Sequence, residues 1–231
     1  MMKDILKDFS SYVKRPAPFI PYQKRSIFYN QLFPLVIICL TFSFASVVLT
    51  QTLQSLHLIN HLPEFDLFKL KEKKAMLFLM VVLIAPVLEE LIFRFQLKSF
   101  GLAFIFYFLA FAEVCYQMLS GIRLIIAIIT VIGIITLIFL YANQNRLTRI
   151  KFIRKVFPVH FYFTAICFGL VHISNYHNPF EYGPAIILLV LPQLFLGFVL
   201  GYTRMRFGIL QSIALHAAYN LIPALALIAG Y

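Results

Sequence analysis

The sequence predicts an all-α, polytopic transmembrane bundle of about seven to eight helices with a polar site buried inside it. Hydrophobic residues make up 61% and charged residues only 13% of the 231 residues, far from the composition of a soluble domain. Long apolar segments recur along the chain, and carboxylate, imidazole and amide side chains stand within some of them. Such groups are costly in hydrocarbon and usually face a bundle interior, where they pair with one another.

Seven segments approach the roughly 20 apolar residues that a helix needs to cross the hydrocarbon core. They are residues 32–50, 75–98, 101–119, 122–141, 157–176, 184–202 and 208–229. The last contains Pro223, which predicts a kink or a division into two pieces. A polar connection at 51–74 is a candidate for a short amphipathic helix at the membrane surface. The chain thus divides into a basic tail at 1–31 and a transmembrane helical domain at 32–231.

The net charge of +11 comes from basic residues clustered between the apolar segments. With seven crossings, the main clusters fall on one side of the membrane. They are Lys3, Lys7, Lys14, Arg15, Lys24 and Arg25, then Arg146, Arg149, Lys151, Arg154 and Lys155, and finally Arg204 and Arg206. By the positive-inside rule that side, and with it the amino terminus, is cytoplasmic. The charge therefore indicates anionic lipid head groups as partners, and no nucleic acid.

Two adjacent carboxylates, Glu89 and Glu90, stand inside an apolar segment. Glu90 and Arg94 are four residues apart, with the acid on the amino-terminal side, which favours an ion pair on one helix face. Glu89 points about 100° away from Glu90 on a helix of 3.6 residues per turn. The pattern therefore offers one carboxylate with a partner and one that can face a cavity as a general base. The alternative is a purely structural cluster of charges.

Two further patterns repeat the four-residue spacing. His172 follows Phe168 by one turn near the end of an apolar segment, and His216 and Asn220 share one helix face. An imidazole and a carboxamide side by side can both donate hydrogen bonds to a developing oxyanion. Taken alone, a single intramembrane histidine or a His–Asn pair is equally well explained as polar contacts between helices. The three patterns together favour a functional site.

Other polar residues in or near the apolar segments carry less weight. Glu113 and Gln117 form a further pair at this spacing and are expected to hold helices together. Gln193 follows Pro192 and is expected to be structural. The remaining histidines are expected in connections at the membrane surface. They are His57, His61, His160 and His177.

The ordered set Glu-Glu-x-x-x-Arg, Phe-x-x-x-His and His-x-x-x-Asn resembles the CPBP family of intramembrane proteases. That family includes the CAAX prenyl endopeptidases and bacterial relatives linked to bacteriocin immunity and peptide processing. The resemblance covers about residues 75–225 and makes 32–231 a protease-like domain. One departure is that two apolar segments, 101–119 and 122–141, separate the first motif from the second. Two extra crossings preserve the orientation of the later helices.

The resemblance implies a role for each motif residue. Glu89 would activate water for attack on a peptide carbonyl, and His172 would help to hold that water. His216 and Asn220 would stabilise the oxyanion. Glu90, Arg94 and Phe168 would support the site. The metal-free mechanism implies no cofactor; the alternative is a zinc ion on Glu89, His172 and His216.

The function expected from these observations is an intramembrane endopeptidase of a membrane-bound or lipidated peptide or protein. The chain is expected to be a multi-pass integral protein, and its compact size resembles that of bacterial members, which indicates a bacterial cell membrane. Two alternatives stay open. One is a transporter or proton pathway that uses the buried charges, and the other is a non-catalytic membrane immunity or scaffold protein.

Overall fold

A computed structural model describes residues 1–60, 74–99, 101–103, 105–107, 109 and 123–229. Within these residues every regular element is helical, as predicted. The α-helices are α1 (Met2–Lys14), α2 (Arg25–Ser55), α3 (Lys74–Leu79), α4 (Ala85–Phe93), α5 (Arg123–Ala142), α6 (Arg146–Val171), α7 (Ile186–Arg206) and α8 (Ile209–Ala229). A π-helical segment, Met80–Ile84, joins α3 to α4. Short 3₁₀ helices lie at Phe95–Leu97, His172–Asn175 and Pro179–Ala185.

Six helical segments in the described part are long and apolar enough to cross a membrane. They are Arg25–Ser55, Lys74–Leu97, Ile125–Ala142, Arg146–Asn175, Glu181–Arg206 and Ile209–Ala226. These correspond to six of the seven predicted spans, and the predicted span at 101–119 lies mostly outside the described residues. Glu113, Gln117 and most of the connection at 51–74 lie outside them as well. The predicted division at Pro223 is not found, because α8 runs through this residue as one helix.

Helix α7 is the centre of the bundle and packs against α2, α6 and α8. Two glycines on facing helices, Gly169 of α6 and Gly197 of α7, let α6 approach α7 closely. A Cβ atom on Gly197 would lie 2.6 Å from the carbonyl oxygen of Ala165, and one on Gly169 would lie 2.8 Å from the Cα atom of Leu194. Small residues commonly permit such backbone contact between membrane helices. This contact sets the depth of α6 relative to α7, and hence the position of the residues at the end of α6.

The basic tail is not a detached segment. Helix α1 is amphipathic, and its apolar face buries Ile5 and Tyr12 against the bundle. Asp8 of α1 accepts a hydrogen bond from the Tyr202 hydroxyl at 2.7 Å and forms an ion pair with Arg206, both on α7. The first transmembrane helix then begins at Arg25, seven residues before the apolar segment begins at position 32.

One prediction about a histidine is wrong. His160 was expected near a connection at the membrane surface, but it lies inside α6 and is almost completely buried. The reason is that α6 begins at Arg146, where the Asn145 side chain caps it by accepting a hydrogen bond from the Thr148 amide at 2.8 Å. The basic residues that looked like a connection therefore form the first turns of this helix.

Candidate active site

The adjacent acids of α4 have different surroundings. Glu90 is fully buried, whereas the Glu89 side chain is 26% exposed and lines a cavity. Successive residues of a helix point about 100° apart, so one acid can face the packed bundle while its neighbour faces open space. The structure thus gives the two carboxylates separate positions, one inside the packing and one at the cavity.

Three side chains surround the Glu90 carboxylate. Oε1 lies 3.3 Å from Nη1 of Arg94 on the same helix and 3.2 Å from Nδ1 of His216 on α8. Oε2 lies 2.5 Å from the Ser212 hydroxyl, which is also 2.9 Å from the carbonyl oxygen of Leu200. The single proton of this hydroxyl can be donated to only one of these two oxygens at a time. Glu90 therefore ties α4 to α8, and Ser212 adds α7 to the same cluster.

Arg94 is fully buried and has partners on three helices. Besides Glu90, its Nη2 donates a hydrogen bond to the Gly197 carbonyl oxygen at 3.4 Å. Its guanidinium carbon lies 3.8 Å from the ring centroid of Phe168. A guanidinium over an aromatic face is attracted by the ring's electron density, and more strongly in a desolvated site. This places Phe168 beside the ion pair.

His172 begins the 3₁₀ turn that follows α6, one turn after Phe168. Its Nδ1 lies 2.7 Å from the Phe168 carbonyl oxygen, which can only accept, so Nδ1 carries the proton of this hydrogen bond. Its Nε2 lies 3.9 Å from Oε2 of Glu89. In the neutral tautomer this Nε2 carries a lone pair that faces the Glu89 carboxylate.

His216 lies between the two acids. While Nδ1 faces Glu90, Nε2 lies 3.7 Å from Oε2 of Glu89. The Phe168 ring packs edge-on against both imidazoles, with centroid distances of 4.9 Å to His172 and 5.6 Å to His216. The two rings are therefore held by hydrogen bonds at Nδ1 and by contact with one phenylalanine, and both Nε2 atoms point toward Glu89.

Asn220 lies one turn after His216, and its amide is anchored to the π-helical segment. Nδ2 donates to the Val81 carbonyl oxygen at 2.9 Å. In this segment the Ala85 amide bonds the Met80 carbonyl, five residues earlier. The next residue in that register is Pro86, which has no N–H to offer Val81. The Val81 carbonyl is thus free to accept from Asn220, whose second amide hydrogen can be donated elsewhere.

A cavity of about 440 Å³ joins these residues. Glu89, His172, His216 and Asn220 all line it, together with apolar side chains of α3, the π-helical segment, α7 and α8. The other lining residues are Leu77, Met80, Val81, Ala85, Asn175, Gln193, Leu196, Tyr219, Pro223 and Ala224. This mixture of apolar walls with a few convergent polar groups is typical of a site for a small ligand or a peptide segment.

The described side chains also bear on the zinc alternative. Among them, no group of three or more His, Cys, Asp or Glu residues is arranged to hold a metal ion. Tetrahedral ligands about 2 Å from zinc lie roughly 3.3 Å apart, and the distances of 3.7 and 3.9 Å from Glu89 to the two imidazoles are longer. The metal-free mechanism stays a prediction, which chelation can test.

All seven residues singled out in the sequence lie in this one cluster. Ser212 and Tyr219 also contact this cluster, and neither was predicted from the sequence. The sequence did place both residues beside a motif, because Ser212 precedes His216 by four residues and Tyr219 precedes Asn220 by one. A serine and a tyrosine within an apolar helix are too common to stand out without knowledge of which face meets α4.

Comparison with known proteins supplies the family. No curated protein and no solved structure matches the chain. The family described as type II CAAX prenyl endopeptidase Rce1-like matches residues 71–222, about two thirds of the chain and all three motifs. This confirms the resemblance to the CPBP proteases and, with the six candidate spans, supports an integral membrane protease that acts on a membrane-associated substrate. The chain belongs to the type II CAAX prenyl endopeptidase Rce1-like family.

Proposed function

We propose that this protein is an intramembrane endopeptidase in which Glu89 activates water to hydrolyse a peptide bond of a membrane-bound or lipidated peptide or protein. The observation that carries the proposal is the convergence of two imidazole Nε2 atoms on one cavity-facing carboxylate, at 3.7 and 3.9 Å from Oε2 of Glu89. The other ring nitrogen of each imidazole has a fixed partner. A carboxylate held beside oriented imidazoles is suited to general base catalysis.

Water activation uses Glu89 and His172. Oε2 of Glu89 is buried and makes no hydrogen bond to the described protein atoms, and the neutral His172 presents the lone pair of Nε2 to it. Both atoms are acceptors about 3.9 Å apart, so a water molecule between them can donate one hydrogen to each. Transfer of one proton to Glu89 gives the water oxygen the electron pair with which it attacks the peptide carbonyl carbon.

Oxyanion stabilisation uses His216 and Asn220. The attack places a negative charge on the former carbonyl oxygen, which donors within the cavity stabilise. Asn220 has a second amide hydrogen besides the one that it gives to Val81. His216 must carry both ring protons to donate from Nε2 while Nδ1 donates to Glu90. Carboxylate oxygens of Glu89 and Glu90 lie 3.7 and 3.2 Å from the two ring nitrogens of His216.

Collapse of the tetrahedral intermediate completes the reaction. The C–N bond breaks as the oxyanion re-forms a carbonyl, and protonated Glu89 returns its proton to the leaving nitrogen. The products are a carboxylic acid and an amine, with the elements of one water molecule added. Glu90, Arg94 and Phe168 hold the imidazoles and α4 in place throughout this sequence and exchange no proton with the substrate.

The orientation in the membrane is part of the proposal. The basic tail carries the amphipathic helix α1, which packs on α7 beside Arg206, and the positive-inside rule favours a cytoplasmic amino terminus. Protease protection of an amino-terminal tag in spheroplasts of a bacterial host tests this. We expect the tag to be protected from external protease. Digestion of the tag in sealed spheroplasts would show that the amino terminus lies outside and would contradict the proposed orientation.

The experiment for the activity is cleavage of quenched, membrane-tethered peptides in liposomes, with and without a prenyl group. Wild type is compared with Glu89→Gln, which removes the base but keeps the shape of the side chain. Glu181→Gln is the matched control, because Glu181 is an exposed acid outside the site. We expect wild-type and Glu181→Gln proteins to cleave, and the folded Glu89→Gln protein to be inactive.

Each arm has a contrary outcome. Cleavage by Glu89→Gln at the wild-type rate would remove Glu89 as the base. Activity lost to a chelator and restored by zinc would replace the metal-free mechanism with a metalloprotease. Failure of the wild type to cleave any peptide, with ion flux that depends on Glu89, would favour the transporter. Comparison of the prenylated and unprenylated peptides decides whether cleavage requires a prenyl group.

A further inference from the structure

A second cavity of about 380 Å³ lies beside the candidate active site, between α2, α7 and α8. Polar side chains of α2 form one wall of it. The polar residues that line it include Ser43, Ser46, Thr50, Gln51, Gln54 and Gln193. A row of hydroxyl and amide groups on a transmembrane helix is unfavourable in contact with lipid. Its position on the inner face of α2 therefore indicates a cavity that holds a polar ligand.

The hydroxyl groups of this wall have no free proton. Ser43 donates to the Cys39 carbonyl oxygen at 2.9 Å, Ser46 to that of Phe42 at 2.9 Å and Thr50 to that of Ser46 at 2.9 Å. Each hydroxyl then presents only oxygen lone pairs to other groups. The hydroxyls of this wall therefore act as acceptors, while the side-chain amides of Gln51 and Gln54 both donate and accept. The wall matches a ligand that can donate and accept hydrogen bonds.

Two residues connect this second cavity with the cavity of Glu89. Gln193 and Tyr219 line both of them. The Tyr219 hydroxyl lies 2.7 Å from that of Ser43, and it is the donor, because the Ser43 proton is already bonded to Cys39. Oε1 of Gln193 is buried and accepts no hydrogen bond from the described protein atoms. The boundary between the cavities therefore adds one more acceptor.

We infer that the second cavity is a hydrophilic subsite that binds water and supplies it to Glu89. The inference rests on the proposed function, since hydrolysis consumes one water molecule for each bond cleaved. Water donates and accepts hydrogen bonds from one small molecule, and it therefore suits a wall of hydroxyl acceptors and side-chain amides better than a peptide, whose N–H and carbonyl groups stand at a fixed spacing. At roughly 30 Å³ for each molecule, the cavity has room for on the order of ten waters.

The position of the wall suggests where the water enters. Ser46 and Thr50 are buried, whereas Gln51, one residue further, is exposed near the end of α2 at Ser55. The polar face thus leads from the interior to one end of the bundle. Water that arrives along it reaches Glu89 without crossing the apolar side chains that line the rest of the Glu89 cavity.

The test uses thiol labelling in a parent chain with Cys39, Cys115 and Cys167 replaced by alanine and with its activity verified. Thr50→Cys is treated with a positively charged, membrane-impermeant methanethiosulfonate. Leu49→Cys is the matched control, because Leu49 is the adjacent residue and is 46% exposed on the outer face of α2. Ser46→Cys with Val48→Cys repeats the comparison at a second depth and replaces it if Thr50→Cys does not fold.

We expect the inner cysteine to be labelled at least about tenfold faster than the outer one, because thiolate reagents need water. The attached group fills the cavity, so kcat should fall by roughly tenfold while KM is unchanged. Equal labelling rates would show that the cavity is dry and would overturn the inference. Labelling without any kinetic change would also overturn it, and a higher KM with unchanged kcat would indicate a peptide subsite instead.

The two proposals fail in different ways. If the unlabelled parent and the wild type cleave no peptide, the proposed function fails, and supply of water to Glu89 fails with it. The labelling rates still decide whether the cavity holds water. If the wild type cleaves but labelling is equal at the two faces, the proposed function stands and only the subsite is lost.

Discussion

Nδ1 of His216 lies 3.2 Å from Oε1 of Glu90, although the two residues are 126 positions apart in the chain. The sequence pattern pairs Glu90 with Arg94, and the structure adds that the same carboxylate orients an imidazole of another helix. Because Nδ1 is held by Glu90, Nε2 is the nitrogen that faces Glu89. The buried acid thereby determines how the cavity-facing acid is surrounded.

The ion pair of Glu90 and Arg94 should stabilise the fold only while both partners are present. Arg94→Met leaves a buried carboxylate without its guanidinium, and removing one partner of such a pair typically costs about 3–5 kcal/mol. The double variant Glu90→Gln/Arg94→Met removes the uncompensated charge and should recover part of the loss. Thermal unfolding in detergent measures both. A double variant less stable than Arg94→Met would contradict this account.

Ser212 should act on catalysis through Glu90 and His216. Ser212→Ala removes the hydroxyl 2.5 Å from Oε2 of Glu90 and leaves a buried acceptor without this donor, at a cost of about 1–3 kcal/mol. The Glu90 carboxylate then holds the His216 ring less firmly, so kcat should fall by roughly 10- to 100-fold with little change in KM. The control is Ser55→Ala at the exposed end of α2. A kcat equal to that of the control would show that Ser212 only contributes to packing.

The contact of α6 with α7 at Gly197 should tolerate no side chain. In Gly197→Ala the new Cβ would lie 2.6 Å from the Ala165 carbonyl oxygen, and forcing helices apart in a packed core costs about 1–3 kcal/mol. Gly101→Ala is the control, because none of the described residues has an atom within 4 Å of its added Cβ. The unfolding temperature should fall for the first and be unchanged or slightly raised for the second. Equal shifts would argue against the close contact.

Tyr12 should make stability fall at alkaline pH. Burial raises the pKa of its phenol above the ordinary value of 10.0. Above about pH 10 the unfolded chain therefore loses a proton that the folded chain keeps, so the free energy of unfolding decreases as the pH rises from the unfolded pKa toward the folded one. Tyr12→Phe lacks this titration and should lose less stability between about pH 9 and pH 11. Identical slopes in denaturation experiments would exclude this contribution.

Contacts within one helix could be predicted from the sequence, because a period of 3.6 residues places positions four apart on one face. The Glu90–Arg94 pair and the hydrogen bond from His172 to the Phe168 carbonyl are of this kind. The helix start at Arg146 was not predicted, because basic residues in the first turns of α6 have the composition of a connection. The error at His160 follows from that misplaced start.

The bond between Asn220 and Val81 shows why other parts of the site were not predictable. It depends on the π-helical register at Met80–Ile84 and on the missing amide of Pro86. A proline in an apolar segment indicates a local irregularity, but it does not tell which carbonyl is released or which helix reaches it. The same holds for Ser212, whose partners lie on α4 and α7.

The sequence by itself determined the helical membrane fold, six spans that the structure describes, and the residues proposed for the site, because composition and periodicity are local properties. The tertiary structure decided that Glu89 faces the cavity while Glu90 is buried, that both Nε2 atoms point to Glu89, and that a second polar cavity adjoins the first. These features depend on the rotation and depth of one helix against another. Close contacts such as that of Gly197 with Ala165 fix the rotation and the depth of the two helices. The residue pattern within a single helix does not specify these contacts between helices.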